Sequence, residues 1–361
     1  MCIFYLRYMP RKVLLKLGIF TLIILFQSLP DGHADQVQST GLPKSTINEQ
    51  SFVLEIDVNL VVLNITVVDA NGGNVTFLTK DDFLIYEDGI RQDIANFFPV
   101  EAPFKLVLVV DTSISTRKNL SLIKTAARNF TKELRPKDEI ALAETHFFSQ
   151  EVQGFTNDRK VLRKAIKTLS TYPYGGSRVY DGMAMALRSL QPIKGGRKAI
   201  VVLSDGMENS SNIKFDELQK LFAKENAVLY PITIVNKDRQ KAILESYIHQ
   251  HKGELENPYV KNARLSLSVL EEVYKIQIER LNQLSSQTGG KIFLVNDLSD
   301  LSGEYSNVAH ELRNTFSLAY YSSNKASQGG MRKIRVEVSN PKFQVRTRSS
   351  YYVPEVKLPA F

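Results

Sequence analysis

The sequence predicts an α/β protein: a doubly wound, mostly parallel sheet, with a flanking β-sandwich-like unit built from N- and C-terminal strands. Three observations lead there. The runs Lys105 to Val110 (KLVLVV) and Ala199 to Leu203 (AIVVL) are apolar without alternation, as strands read when both faces of their sheet are covered. Segments with apolar residues at helical spacing separate such runs, so strands and helices alternate. Strand-like segments with turn signals occupy both ends of the chain.

The elements follow in chain order. Residues 1–34 read as an export segment: Arg7, Arg11, Lys12 and Lys16 form a basic start, Leu17 to Phe26 an apolar run, and Gly32-His33-Ala34 a small-residue cleavage signal. That run is short for a membrane-spanning helix; an uncleaved N-terminal anchor is the alternative. Residues 35–50 are polar and aperiodic, a linker. Residues 51–101 form an N-terminal β unit. In it Ile56, Val58 and Leu60 alternate with polar residues, the alternation slips at Val61-Val62, and it resumes at Leu63, which predicts a long strand with a bulge. Asn71-Gly72-Gly73 marks a turn, and Leu84 to Tyr86 with Asp88-Gly89 a second strand and tight turn.

Residues 102–314 carry the α/β pattern. After the first apolar strand, Leu120, Ile123, Ala127, Phe130 and Leu134 lie at helical spacing. A strand from Ile140 to Phe147 follows, then a helix through Val161 to Leu169. A Gly-rich loop at 174–177 leads into a helix with Val179, Met183, Leu187 and Leu190. Val228 to Val235 and Lys291 to Val295 are further strands. Between them residues 236–288 are long and charged; Leu270, Tyr274, Ile278, Leu281 and Leu284 form the stripe of a crossover helix packed on the sheet, and the stretch before it reads as a helical elaboration. A helix at Leu301 to Leu312 closes the unit. Residues 315–361 return to strands at Phe316 to Tyr321, Lys333 to Val338 and Gln344 to Tyr352, placed to pack with residues 51–101.

Composition sets bounds on function. The 361 residues are 43% hydrophobic and 23% charged, ordinary values for a packed core. The single cysteine, Cys2, lies in the export segment, so the rest of the chain has neither disulfides nor thiolate metal sites. Removing residues 1–34, with their four basic residues and Asp31, lowers the net charge from +8 to +5. The basic residues are spread through the chain, and the cluster from Arg332 to Arg348 reads as a solvated strand face, so no nucleic-acid partner is expected.

The chemistry concentrates at strand ends. Asp111-Thr-Ser113-Ile-Ser115 follows the first apolar strand, at the edge where open α/β sheets bind ligands. One carboxylate and two hydroxyls at alternate positions can converge on a small hard cation, which takes oxygen ligands. The same residue types also cap helices, and on this motif alone both readings stand. Ser204-Asp205-Gly206 ends the other apolar strand, and Gly175-Gly176-Ser177 precedes a helix in a loop that can face the same edge. Together they add a second carboxylate and a third hydroxyl.

These motifs resemble the metal-ion-dependent adhesion site (MIDAS) of von Willebrand factor type A domains, a Rossmann-like fold. The resemblance covers about residues 103–314. The flanking "LTKDDFLIYEDGIRQDIANFF", "GGSRVYDGM" and "RKIRVEV…VRTRSSYYVP" are similar to a bacterial subgroup of exported relatives. The resemblance implies that Ser113, Ser115 and Ser177 offer hydroxyls to a divalent cation, magnesium first and manganese or calcium next. Asp111 and Asp205 would act directly or through water. The family's usual Thr is replaced by Ser177, which frees the rotamer and implies weaker affinity. Asp181 is expected to cap its helix, with a place behind the metal ligands as the alternative. The partner implied is a protein that supplies an acidic side chain to the ion, outside the cytoplasm, in the periplasm or secreted. Contact with membrane is expected only through an uncleaved leader. Movement of the last helix often accompanies ligand engagement in this fold.

Two other readings compete. A metal-dependent hydrolase needs a base near the ion, and none of the five histidines falls within a predicted metal loop. His249 and His251 are two apart and would not share a helix face. No GxSxG or HExxH occurs and no GxGxxG follows the first strand, so an enzyme is not expected. A structural module with a vestigial site is disfavoured by the intact DxSxS.

Overall fold

In a computed structural model, residues 60–353 are described, apart from 173–175, 194–195, 236, 255 and 325–328. The export segment, the linker and the alternation of residues 56–59 lie outside the described residues. None of the described helices is long and apolar enough to cross a membrane.

The central sheet contains β5 (Phe104–Asp111), β6 (Glu139–Thr145), β7 (Ser149–Thr156), β8 (Arg197–Ser204), β9 (Ala227–Ile234) and β10 (Phe293–Val295). Their order is β10-β9-β8-β5-β6-β7, parallel except for β7 at one edge. Both apolar runs are interior strands buried along nearly their whole length, which explains their unbroken hydrophobicity. The helices are α1 (Leu120–Glu133), α2 (Arg159–Thr168), α3 (Val179–Leu190), α4 (Phe215–Lys224), α5 (Lys237–Gln250), α6 (Pro258–Gln287) and α7 (Leu301–Arg313). One face of the sheet packs on α1, α2 and α7 through Ile123, Phe130, Ile166 and Tyr305. The other packs on α3, α4 and α6 through Met183, Leu187, Phe222 and Leu284.

Four more strands precede this unit and four follow it: β1 (Leu60–Val68), β2 (Phe83–Glu87), β3 (Ile90–Gln92) and β4 (Ile94–Phe98), then β11 (Thr315–Tyr321), β12 (Gly330–Val338), β13 (Gln344–Arg346) and β14 (Ser350–Val353). They form two four-stranded sheets, β13-β1-β11-β4 and β14-β12-β2-β3, each mixing both ends of the chain. Leu63, Ile65, Phe83, Ile85, Phe316 and Leu318 fill the layer between. Glu87, fully buried there, accepts hydrogen bonds from Tyr320 Oη (2.8 Å), Tyr351 Oη (3.0 Å), Ser322 Oγ (2.6 Å) and Asn324 Nδ2 (2.7 Å). A buried carboxylate is tolerated when so many donors surround it.

Several expectations are corrected. No bulge interrupts β1: Leu60 to Thr66 pair continuously with Tyr321 to Thr315. The slip at Val61-Val62 arises because β1 is buried on both faces, one in the sandwich and one against the α/β unit, where Asn64 Nδ2 donates to Asn226 O (3.1 Å). The span from Gln344 to Tyr352 is two strands in different sheets, because the chain crosses between them at residues 347–349. There Arg348 is buried and donates to Ala223 O (2.5 Å) and Asn226 Oδ1 (2.9 Å). Strand β7 and helix α4 were not anticipated.

α6 is the crossover helix, and its length matters. Thirty residues rise about 45 Å, against about 26 Å for the eight residues of β9. Its C-terminal end is pinned at the start of β9, where Ser285 Oγ donates to Leu229 O (3.0 Å) and Leu229 N to Thr288 Oγ1 (2.9 Å). Roughly its first fifteen residues therefore run past the carboxyl edge of the sheet, with α5 packed along them.

Candidate metal centre

The site is built from three strand-end loops. Asp111 is the last residue of β5 and is fully buried. Its Oδ1 accepts the Ser113 amide (2.9 Å), and Thr116 Oγ1 donates to Ser113 O (2.8 Å), which folds the loop into a short 3-10 turn before α1. Ser113 Oγ and Ser115 Oγ are 2.9 Å apart. From the loop before α3, Ser177 Oγ donates to Asp111 Oδ2 (2.7 Å). From the end of β8, Ser204 Oγ donates to the same oxygen (2.9 Å), and the neighbouring Asp205 lies where Ser115 and the charge on Asp111 both act on its carboxyl. Asp111, Ser113, Ser115, Ser177 and Asp205 thus meet around one carboxylate. Ser177 is buried and bonded to Asp111, so its rotamer is held rather than free.

The loops are stitched to one another. Ser177 N donates to Asn209 Oδ1 (3.0 Å), while Asn209 N and Ser210 N donate to Ser177 O (3.3 and 3.2 Å). Gly176 permits this approach: a Cβ there would lie 2.1 Å from Asn209 Oδ1 and 2.0 Å from Ser210 Oγ. Glu208 accepts from Ser210 N (3.0 Å), Ser211 N (2.9 Å) and Tyr180 N (2.9 Å). Asp181 does not cap its own helix, contrary to expectation. It accepts Asn212 N (3.0 Å) and Ile213 N (3.1 Å) from the loop after β8 and pairs with Arg178 (3.2 Å). Its position in the first turn of α3 lets it reach across rather than back.

Electrostatics set the chemistry. Burial raises the Asp111 carboxyl, opposed by hydrogen bonds from Ser113, Ser177 and Ser204. Asp205 is pushed up to about 7, first by burial and then by the charge on Asp111. Neither carboxylate has a Lys or Arg at ion-pair distance among the described residues, and Asp205 Oδ2 is buried without a hydrogen-bond partner. Two buried acids side by side are each destabilised when ionised, and a cation between them relieves both. Among the described residues no group of three or more His, Cys, Asp or Glu is arranged to hold a metal ion. Any ion here would rest mainly on neutral hydroxyls, which suits a hard, oxygen-seeking cation. The donor set fits such an ion.

Sequence reading missed Ser204 as a donor, although it adjoins Asp205, and missed Glu208 and Asn209, which carry no motif. His146 falls within none of the three metal loops. It lies just after β6 at the same sheet edge, buried, stacked on Tyr172 (ring centroids 3.9 Å) and 3.9 Å from Glu144. Burial lowers its pKa.

Fold and site together define an open α/β sheet with an oxygen-donor cluster at its carboxyl edge. The chain contains a von Willebrand factor type A domain, whose family model matches residues 106–208. An uncharacterized protein of Borreliella burgdorferi is 26% identical over 200 residues, covering 53% of this chain; the chain spans about half of that relative, 54% of its length. Similar solved structures include BatB from Bacteroides thetaiotaomicron, 13% identical, TM-score 0.41, covering 58% of this chain and 98% of that one. A von Willebrand factor type A protein from Catenulispora acidiphila is 9% identical, TM-score 0.44, covering 83% and 74%. Proximal thread matrix protein 1 from the mussel byssus, with a zinc-occupied MIDAS motif, is 15% identical, TM-score 0.43, covering 63% and 49%.

Proposed function

We propose that this protein is an exported, bacterial, metal-dependent binding module and not an enzyme, with its partner docking at the carboxyl edge of the central sheet. The convergence of Ser113, Ser177 and Ser204 on buried Asp111, beside a second buried acid, carries this reading. Ser113, Ser115 and Ser177 hold the cation, magnesium first and manganese or calcium next, and Asp111 and Asp205 act on it directly or through water. When bound, the cation supplies an open coordination position that an acidic side chain of a partner protein can complete. Exposed apolar residues at the same edge, Ile114 between the two serines and Phe147 and Phe148 after β6, offer contact area around it. His146, the histidine at this edge, is covered by Tyr172 and Phe148, which supports binding over turnover. Export to the periplasm or beyond rests on the reading of residues 1–34.

Calorimetric titration with MgCl2 and MnCl2 tests the proposal. Wild type should bind one ion, and Asp111→Ala should keep its fold and lose binding. Capture of a partner from the native envelope should then fail with the variant and with a chelator. Wild type that takes up neither ion, or a variant that binds normally, refutes it.

A further inference from the structure

Three buried polar atoms lie beside the site without a hydrogen-bond partner among the described residues: Asp205 Oδ2, Thr233 Oγ1 and Tyr274 Oη. Their side chains are at most 3% exposed. Independent observations bring them together. Thr233 pairs in register with Ser204, the residue before Asp205. A Cβ on Gly206, the residue after it, would lie 2.8 Å from Thr233 Cγ2. Pro231 and Thr233 alternate with Ile232 and Ile234, which lie in the opposite core, so Thr233 faces α6.

Tyr274 arrives from that helix at the right height. α6 is level with Leu229 at Ser285 and runs antiparallel to β9. Eleven residues of helix from Ser285 back to Tyr274 rise about 16 Å, and four residues of strand from Leu229 to Thr233 rise about 13 Å. A helical side chain leans toward the N-terminus of its helix, which carries the phenol onward toward Asp205. One turn further along α6, Gln277 accepts from Tyr180 Oη (3.1 Å) and donates to Glu208 O (3.4 Å), which ties this face to the loop that follows Asp205. Burial, and then the charge on Asp205, raise the Tyr274 phenol.

A buried polar atom without a partner is costly, so two hydroxyls and a carboxylate oxygen at one height on facing elements call for an occupant. A water needs two to four polar partners in a roomy polar site, and two hydroxyls with a carboxylate oxygen supply three. We propose that Asp205 Oδ2, Thr233 Oγ1 and Tyr274 Oη form a buried binding site for one water molecule, through which Thr233 and Tyr274 act as positioning residues for Asp205. The positioning role rests on the metal-binding reading; the water site does not. The long insertion α5–α6 thereby acquires a function: it brings a phenol to the back of the metal centre.

A high-resolution crystal structure of the full chain tests the water site, with or without metal. Density for one water within hydrogen-bonding reach of all three atoms supports it; an apolar contact or no density there overturns it. Manganese titration of Tyr274→Phe and Thr233→Val tests the positioning role. Each should weaken affinity about tenfold, as loss of support behind a metal ligand does, with melting temperature essentially unchanged. Thr233→Ser, which restores the hydroxyl, should recover wild-type affinity. If Tyr274→Phe does not fold, Thr233→Val decides. A folded variant with unchanged affinity overturns the role. Wild type that binds no manganese removes the role with the metal reading, and the crystal density then decides the water site alone.

Discussion

Gly206 directs the chain away from Asp205 with φ +78°, a left-handed conformation that costs other residues about 1 kcal/mol or more. Gly206→Ala also presses on Thr233, so urea unfolding should show a loss of about 1–3 kcal/mol. The acids predict a pH dependence. The Asp205 carboxyl is pushed up to about 7 in the folded chain, first by burial and then by the charge on Asp111, against 3.8 unperturbed. Between those values the folded state holds more protons than the unfolded one, so metal-free stability should fall as pH rises through that window. A cation needs the carboxylate deprotonated. The rise in melting temperature caused by magnesium should therefore be larger at about pH 8 than at about pH 5, by thermal denaturation with and without MgCl2. Equal rises at both values contradict the placement of Asp205 at the ion. The residues proposed as ligands were legible because three separate strand-end loops each offer hydroxyls or acids, although any one of them alone also reads as a helix cap. Ser204 was hidden because a strand's last residue reads as core, and Tyr274 because helical spacing does not distinguish a phenol that packs from one that bonds.

Arg197, the first residue of β8, joins the place where the chain enters the α/β unit to the place where it leaves. It donates to Val100 O (2.8 Å), to Ala102 O (2.6 Å) and to Leu312 O at the end of α7. Burial lowers its pKa to about 10. Arg197→Ala takes their side-chain donor from Ala102 O and Leu312 O, while Val100 O keeps Arg135 Nη1, and the loss of stability should reach about 3 kcal/mol in urea unfolding. A loss under about 1 kcal/mol shows that water replaces the guanidinium. Elements with a strong pattern were legible: the strands at 106–110 and 199–203, and the stripe of α6. β7 was not, because it lies half-exposed at a sheet edge and has neither continuous nor cleanly alternating hydrophobicity. The height of α6 above the sheet was hidden as well, since a stripe gives the buried face of a helix but not where its partner strand stops.

At the scale of the whole molecule, both sandwich sheets depend on the two chain ends together. β11 lies between β1 and β4, and β12 between β14 and β2. Truncation after residue 314 removes an inner strand from each sheet and exposes Leu63, Ile65 and Phe83. Residues 60–98 should then become sensitive to limited proteolysis while full-length protein resists. The insertion was readable as an economical pairing of end strands; the exact distribution of strands was not, because it depends on the crossing at Arg348. α7 passes directly into β11, so any shift of that helix would be felt in the sandwich. The proposed function depends on a cation at the carboxyl edge. The most direct measurement is anomalous scattering from a crystal of the full chain grown with manganese chloride. The account predicts one peak within coordination distance of Ser113, Ser115 and Ser177 Oγ; no peak there, in crystals that hold manganese elsewhere, contradicts it.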